Sequence, residues 1–284
     1  DSAALRPYTQ PDAFYALRRA LADYLDGKYS LLHVLGTQDG VYGMSAAGRG
    51  AGFYADGSYT YGTAVHDQAD TDRLVDYAYK NDMQILIHAI GDKASDMVCD
   101  AYEKAIEKYG DKGSRLAINH LQVISPDLIG RMKAHGIVAY IQPLFVASDR
   151  DIIGKLMGEE VAARSYMWRT MQDSGIVCGG GSDSPVESFD VLKNIQVAVT
   201  RDRLEDKTDG WHPSEKLTIS EAVRMFTANN AYLAFEEHRR GSIEIGKDAD
   251  MTVLERDIFQ ADPHEIGEIK ISKTIVAGKE VYNG

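Results

Sequence analysis

The sequence predicts an α/β fold built on a parallel sheet, and two patterns support this. Short apolar runs alternate with amphipathic helical stretches over most of the chain, as in sheets joined by crossover helices. The clearest unit is an apolar run at residues 84–87 that ends at His88 and is followed by a helical stripe at 93–109. Such a run is typical of a strand buried on both faces.

The same periodicities predict the other elements of the body in chain order. A proline near the first turn suits the helix at 126–134, and Gly36 and Pro143 close the strands that precede them. The predicted strands are residues 29–35, 53–58, 84–88, 115–120, 137–142 and 175–178. The predicted helices are residues 11–25, 71–81, 93–109, 126–134, 149–174 with a break, and 189–200.

The composition changes after Trp211. Thr218 and Glu221 form a capping box that opens a helix running to about residue 235. The pattern then becomes strand-like, with a hairpin turn at 277–278. The predicted strands of this part are residues 250–254, 269–276 and 279–282. We therefore divide the chain into a body at residues 1–240 and a small β unit at 241–284.

Composition and charge narrow the function classes. The 284 residues are 44% hydrophobic and 26% charged, as in an ordinary globular protein. The net charge of −12 argues against a nucleic-acid partner, and no apolar run reaches the ~20 residues that span a bilayer. Cys99 and Cys178 fall in a helix and a strand pattern, as core residues rather than a disulfide pair. A cytoplasmic protein with a small-molecule substrate is expected, and a homo-oligomer stays open.

Three predicted strands end in side chains that can bind a metal, namely His88, His120 and Asp183. The carboxyl ends of parallel strands share one rim, so these side chains can converge. Two imidazoles and a carboxylate suit zinc or a similar divalent ion. Each residue alone has an ordinary explanation, because a strand-end histidine is often structural and Asp183 is of the type that caps helices or shapes turns. The pattern at three strand ends favours a metal site.

Four further polar residues lie at or near predicted strand ends. They are Asp56, Asp92, Gln142 and Arg201. Each could meet a substrate, but we expect caps, turns or support for neighbouring groups. The sequence assigns no substrate-binding residue.

Several motifs in this order resemble the metal-dependent amidohydrolase superfamily, in the branch of N-substituted formamide deformylases and exoenzyme-regulatory-type amidohydrolases. The resemblance covers roughly residue 53 to the end of the chain. The motifs are HAIGD at 88–92, NHLQ at 119–122, QP at 142–143, GSDSPVE at 181–187, GSI at 241–243, GKDAD at 246–250 and TIVAG at 274–278.

The resemblance implies a (β/α)8 TIM-type barrel, present here as about strands 3–8, with a remnant of a composite β-sandwich. His88, His120 and Asp183 would follow barrel strands 5, 6 and 8. The two histidines would be metal ligands, and Asp183 would be both a ligand and the general acid/base. The implied cofactor is a divalent metal, most often Zn2+, as one or two ions. The implied reaction is hydrolysis of an amide or formamide C–N bond by metal-activated water.

Two departures from the family pattern matter. The chain has no His-x-His pair, which family members carry on the first barrel strand, and it lacks the N-terminal half of the β-sandwich. We therefore expect a fragment, with further chain before Asp1 or a segment missing between Leu35 and Phe53. Two alternatives stay open: a catalytically incomplete or dead amidohydrolase-like chain, and a metal-dependent hydrolase of lactones or phosphoesters.

Overall fold

The computed structural model describes residues 31–38, 44–45, 48–49, 52–53, 59–60, 66–124 and 126–284. The predicted helix at 11–25 and the candidate Asp56 lie outside these residues. The strands in the first part of the chain are β1 (Leu31–Gln38), β2 (Met44–Ser45), β3 (Gly48–Arg49), β4 (Gly52–Phe53) and β5 (Tyr59–Thr60).

A five-stranded parallel sheet forms the centre of the body. It consists of β1 and four later strands, in the order β1-β6-β7-β8-β9. The apolar runs predicted as buried strands supply its middle, and the predicted parallel sheet is confirmed. The later strands are β6 (Gln84–Ala89), β7 (Ala117–His120), β8 (Val138–Ile141) and β9 (Cys178–Gly180).

Helices connect these strands, as the crossover pattern predicts. Their apolar stripes face the sheet, and Cys99 and Cys178 are both buried in the resulting core, as expected. No helix among the described residues is long and apolar enough to cross a membrane. The helices are Gln68–Lys80, Asp92–Tyr109, Pro126–Ala134, Leu144–Met157, Glu159–Ala162, Trp168–Asp173 and Val191–Thr200.

The C-terminal part also follows the prediction. The capping box between Thr218 and Glu221 is present at the start of a helix that runs through a π-helical stretch to Leu233. A hairpin turn at Ala277 and Gly278 has positive φ at both residues, as a type I′ turn requires. The strands form an antiparallel sheet of β10 (Met251–Leu254), β11 (Ile271–Val276) and β12 (Lys279–Asn283).

The predicted strand at 53–58 lies mostly outside the described residues. Its first residue, Phe53, belongs to β4, which pairs antiparallel with β5. In the parallel sheet, β1 lies directly beside β6.

Two boundaries differ from the prediction. The long helical region begins at Leu144, directly after Pro143, because proline fits the first turn of a helix as well as the end of a strand. The last strand of the body comprises Cys178–Gly180 rather than residues 175–178. Glycine is depleted in strands, so its place here depends on tertiary packing.

Candidate metal centre

His88 and His120 lie at the carboxyl ends of the neighbouring strands β6 and β7. In the register of this pair, His88 is opposite Asn119, and His120 is opposite Ala89. Ideal pleating would therefore place the two imidazoles on opposite faces of the sheet. The backbone of His120 leaves this alternation with a φ of 78°. As a result the two rings meet edge to face, with their centroids 4.2 Å apart.

Asp183 reaches the same place from the loop after β9. Its Oδ2 lies 3.9 Å from Nε2 of His120, and its side chain is 42% exposed. Its alternative role as a helix cap is not the one observed, because Asp190 accepts the backbone N–H groups that open the Val191–Thr200 helix. The structure thus brings all three predicted side chains to one edge of the sheet.

His120 is held as a neutral imidazole. Its side chain is only 3% exposed, and burial, together with the charge on His88, lowers its pKa to about 3. Neither of its ring nitrogens has a hydrogen-bond partner among the described residues. Burial raises the pKa of Asp183, against the opposing effect of His88. Buried, unprotonated nitrogens without a partner are unusual unless another group satisfies them.

The donor types fit a divalent metal ion. Neutral imidazole nitrogens and a nearby carboxylate are the ligands that zinc takes in catalytic sites. Within the part of the chain that the structure describes, however, no three His, Cys, Asp or Glu side chains lie close enough to hold an ion. The centre therefore has the donor types expected for such an ion, but the three side chains lie farther apart than in a closed coordination shell.

Three of the other four candidates make hydrogen bonds that suit the expected supporting roles, and Asp56 lies outside the described residues. Asp92 is buried and accepts the N–H of Lys93 at a helix start (2.7 Å). Gln142 donates through Nε2 to Oδ1 of Asn119 (2.7 Å), one residue before His120. Arg201 is buried and donates to the carbonyls of Trp211 (2.7 Å) and Tyr166 (2.9 Å).

The sequence interpretation missed Phe145, whose ring stands edge-on to the imidazole of His120 with centroids 5.9 Å apart. It lies in the first turn of the helix that follows β8. Pro143, the residue directly after the candidate Gln142, is the local signal for this helix start, but a proline fits the end of a strand equally well.

Comparison with known proteins places the chain in context. The model of the amidohydrolase family matches residues 30–282. The protein YtcJ of Bacillus subtilis (strain 168) is 37% identical over 230 residues, which are 81% of this chain and 43% of YtcJ. The N-substituted formamide deformylase of Arthrobacter pascens is 28% identical over 225 residues, or 78% of this chain and 41% of the deformylase.

A solved structure is also similar to this chain. An uncharacterized metal-dependent hydrolase from Pyrococcus furiosus superposes with a TM-score of 0.57 at 29% identity, over 67% of this chain and 37% of that one. The chain thus spans less than half the length of each of these three proteins. The family match covers most of the sequence and includes both histidines and Asp183. The chain therefore belongs to the amidohydrolase family.

Proposed function

We propose that the chain carries the metal-binding part of a hydrolase that cleaves an amide- or formamide-type C–N bond in a small molecule. The observation that carries this proposal is the meeting of His88, His120 and Asp183 at the carboxyl edge of the parallel sheet. Family membership supports hydrolysis, and the likeness to a formamide deformylase supports the bond type.

The proposal includes the fold around this edge. Five parallel strands that follow one another in chain order support this part of the proposal, because a (β/α)8 barrel is built from such strands. We propose that residues 1–240 form part of such a barrel, about strands 3–8, and that residues 241–284 are a segment of a β-sandwich.

In this site His88 and His120 would hold a divalent ion, most often Zn2+, with Asp183 as a further ligand. The bound ion would polarise the substrate carbonyl and lower the pKa of water towards ~7. Asp183 would accept a proton from the attacking water and deliver it to the leaving nitrogen. Its partial exposure lets it face both solvent and substrate, whereas buried His120 stays unprotonated and ready to bind.

The first test is Asp183→Asn. We expect turnover to fall by roughly 10²–10⁴-fold, because the amide cannot shuttle the proton, while the free energy of unfolding stays near that of the wild type. The matched control is Asp111→Asn, an exposed residue in the loop before β7, at the opposite edge of the sheet. Near-normal turnover in Asp183→Asn would rule out its acid/base role.

Metal content and substrate range separate the alternatives. Protein purified with zinc supplied during folding should hold stoichiometric metal by elemental analysis, and an absence of metal would favour a catalytically incomplete chain. A panel of N-formyl amines, N-acyl amino acids, lactones and aryl phosphates should show turnover of the C–N substrates. Preferred turnover of lactones or phosphates would contradict the bond assignment while leaving the metal site in place.

A further inference from the structure

The end of β7 has a backbone conformation that needs support. His120 and Leu121 are consecutive residues with φ of 78° and 51°. This left-handed region is unfavourable for residues that carry a Cβ, and it persists only where the surroundings hold the chain in place. The conformation matters because it turns the imidazole of His120 towards His88. Whatever holds the next few residues therefore also sets the position of His120.

One side of this segment is held by the neighbouring strand. The N–H of Leu121 donates to the carbonyl of Ala89, and the N–H of Val123 donates to that of Ile90, both at 3.0 Å. These bonds continue the pairing of β6 with β7 beyond the regular strand. They leave the other side of the segment, where the carbonyl and side chain of Gln122 lie, to be held by a different part of the chain.

Tyr166 holds that other side. Its N–H donates to the carbonyl of Gln122 (2.7 Å), and its hydroxyl accepts from Nε2 of Gln122 (2.7 Å). The hydroxyl in turn donates to Oδ2 of Asp149 (2.6 Å). The carbonyl of Tyr166 accepts from the buried guanidinium of Arg201 (2.9 Å). Every polar group of Tyr166 is engaged, and its side chain is 2% exposed.

The same network reaches His120 by a second route. Asp149 lies one helical turn after Phe145, on the same face of the Leu144–Met157 helix. Phe145 is the residue whose ring stands against the imidazole of His120. Tyr166 thus fixes the segment that follows His120 and the helix that packs against its ring.

We infer that Tyr166 is a positioning residue of the metal centre, and that its hydroxyl holds His120 in place through Gln122 and Asp149. The inference rests on the proposed function, because it assigns the network a purpose at that site. Groups that support a metal ligand without touching the metal typically change metal affinity by 10–100-fold when removed.

The test is Tyr166→Phe, which keeps the ring and both backbone bonds and removes only the hydroxyl. The zinc dissociation constant, measured by competition with a chelator, should rise about tenfold. In the metal-free protein, amide hydrogen exchange of the peptide covering residues 117–124 should become several-fold faster. In Asp149→Asn, the amide oxygen still accepts from the tyrosine hydroxyl, so both values should stay near those of the wild type.

The matched control is Tyr79→Phe. Tyr79 is equally buried, and its hydroxyl also makes two hydrogen bonds, to the carbonyl of Gly110 and from the N–H of Lys112, away from His120. Tyr79→Phe should change neither the zinc affinity nor the hydrogen exchange of residues 117–124. Exchange in Tyr166→Phe that matches the control would overturn the inference, whether or not zinc binds. If the wild-type protein binds no zinc, the proposed function fails. The exchange data alone then show whether the Tyr166 hydroxyl holds residues 117–124 in place.

Discussion

Asp92 shows how the rim of the sheet changes the properties of a single carboxyl group. It lies at the start of the Asp92–Tyr109 helix, four residues after His88, and is almost fully buried. Burial raises its pKa from 3.8 to about 6; the charge of Asp96 acts in the same direction, and the hydrogen bond from Lys93 opposes it. The folded protein therefore binds this proton more tightly than the unfolded chain.

This difference in proton binding makes the stability of the fold depend on pH. Below about pH 3.8 the carboxyl is protonated in both states, and it costs the fold nothing. Between about pH 3.8 and 6 the unfolded chain loses this proton while the folded protein retains it, so the cost to the fold grows with pH and levels off above about 6 at on the order of 2–3 kcal/mol. Asp92→Asn should remove this cost. In urea unfolding of chelator-treated protein, the variant should be more stable than the wild type at pH 7.5, and the gap should narrow towards pH 4.

The control for Asp92 is Asp127→Asn, an exposed aspartate in the first turn of the Pro126–Ala134 helix. Asp127→Asn should not be more stable than the wild type at pH 7.5, because this exposed carboxylate loses little solvation and lies near the positive end of the helix. A gap for Asp92→Asn that is constant with pH would show that Asp92 ionises normally in the fold. The effect would then reflect packing or capping rather than a buried charge.

Among the elements, the strands predicted best from the sequence are those buried on both faces. The apolar runs of β6, β7 and β8 carry enough signal in their own residues. β9 does not, because Gly179 and Gly180 have little strand preference of their own. They form a strand since the helical stretch at 219–233 packs directly on them, with amides of Asn229 and Asn230 donating to the carbonyls of Cys178 and Gly180.

This packing makes Gly179 sensitive to the smallest substitution. A Cβ added there would lie 2.2 Å from a methyl of the buried Leu233 and 2.4 Å from Oδ1 of Asn230. Gly179→Ala should therefore reduce the free energy of unfolding by about 1–3 kcal/mol, as overpacked cores do. The matched variant is Gly181→Ala, where a Cβ meets nothing within 4 Å. Equal unfolding midpoints in urea for the two variants would show that the contact yields without cost.

Part of the candidate site could also be predicted from the apolar strands. His88, His120 and Asp183 could be named from the sequence because each follows an apolar strand, and parallel strands end at one edge. Tyr166 and Asp149 could not, since no local pattern connects Tyr166 with Gln122, 44 residues earlier. That connection exists only after the segment between β8 and β9 folds back across the end of β7. Sequence periodicity predicts single helices and strands, whereas the hydrogen bonds of Tyr166 depend on how those elements pack against one another.

On the scale of the whole molecule, the residues after the proposed boundary at 241 form their own sheet and also contact the body. The sheet of β10, β11 and β12 is separate from the parallel sheet of the body. The segment between β10 and β11, however, joins the body's core through its apolar side chains, namely Ile258, Ile266 and Ile269. The N–H of Gly267 also donates to Oε1 of Gln196 on the Val191–Thr200 helix (2.8 Å). The polar, irregular sequence of this segment did not predict such contact.

These contacts predict that the C-terminal part and the body unfold together. Ile266→Ala removes a fully buried side chain and should cost about 2–5 kcal/mol. The loss should appear both in the fluorescence of Trp168 and Trp211, which lie in the body, and in hydrogen exchange of β11. Val281→Ala, at a position 62% exposed, should stay within about 0.5 kcal/mol of the wild type. If Ile266→Ala speeds exchange in β11 and leaves the tryptophan transition unchanged, the two parts fold independently.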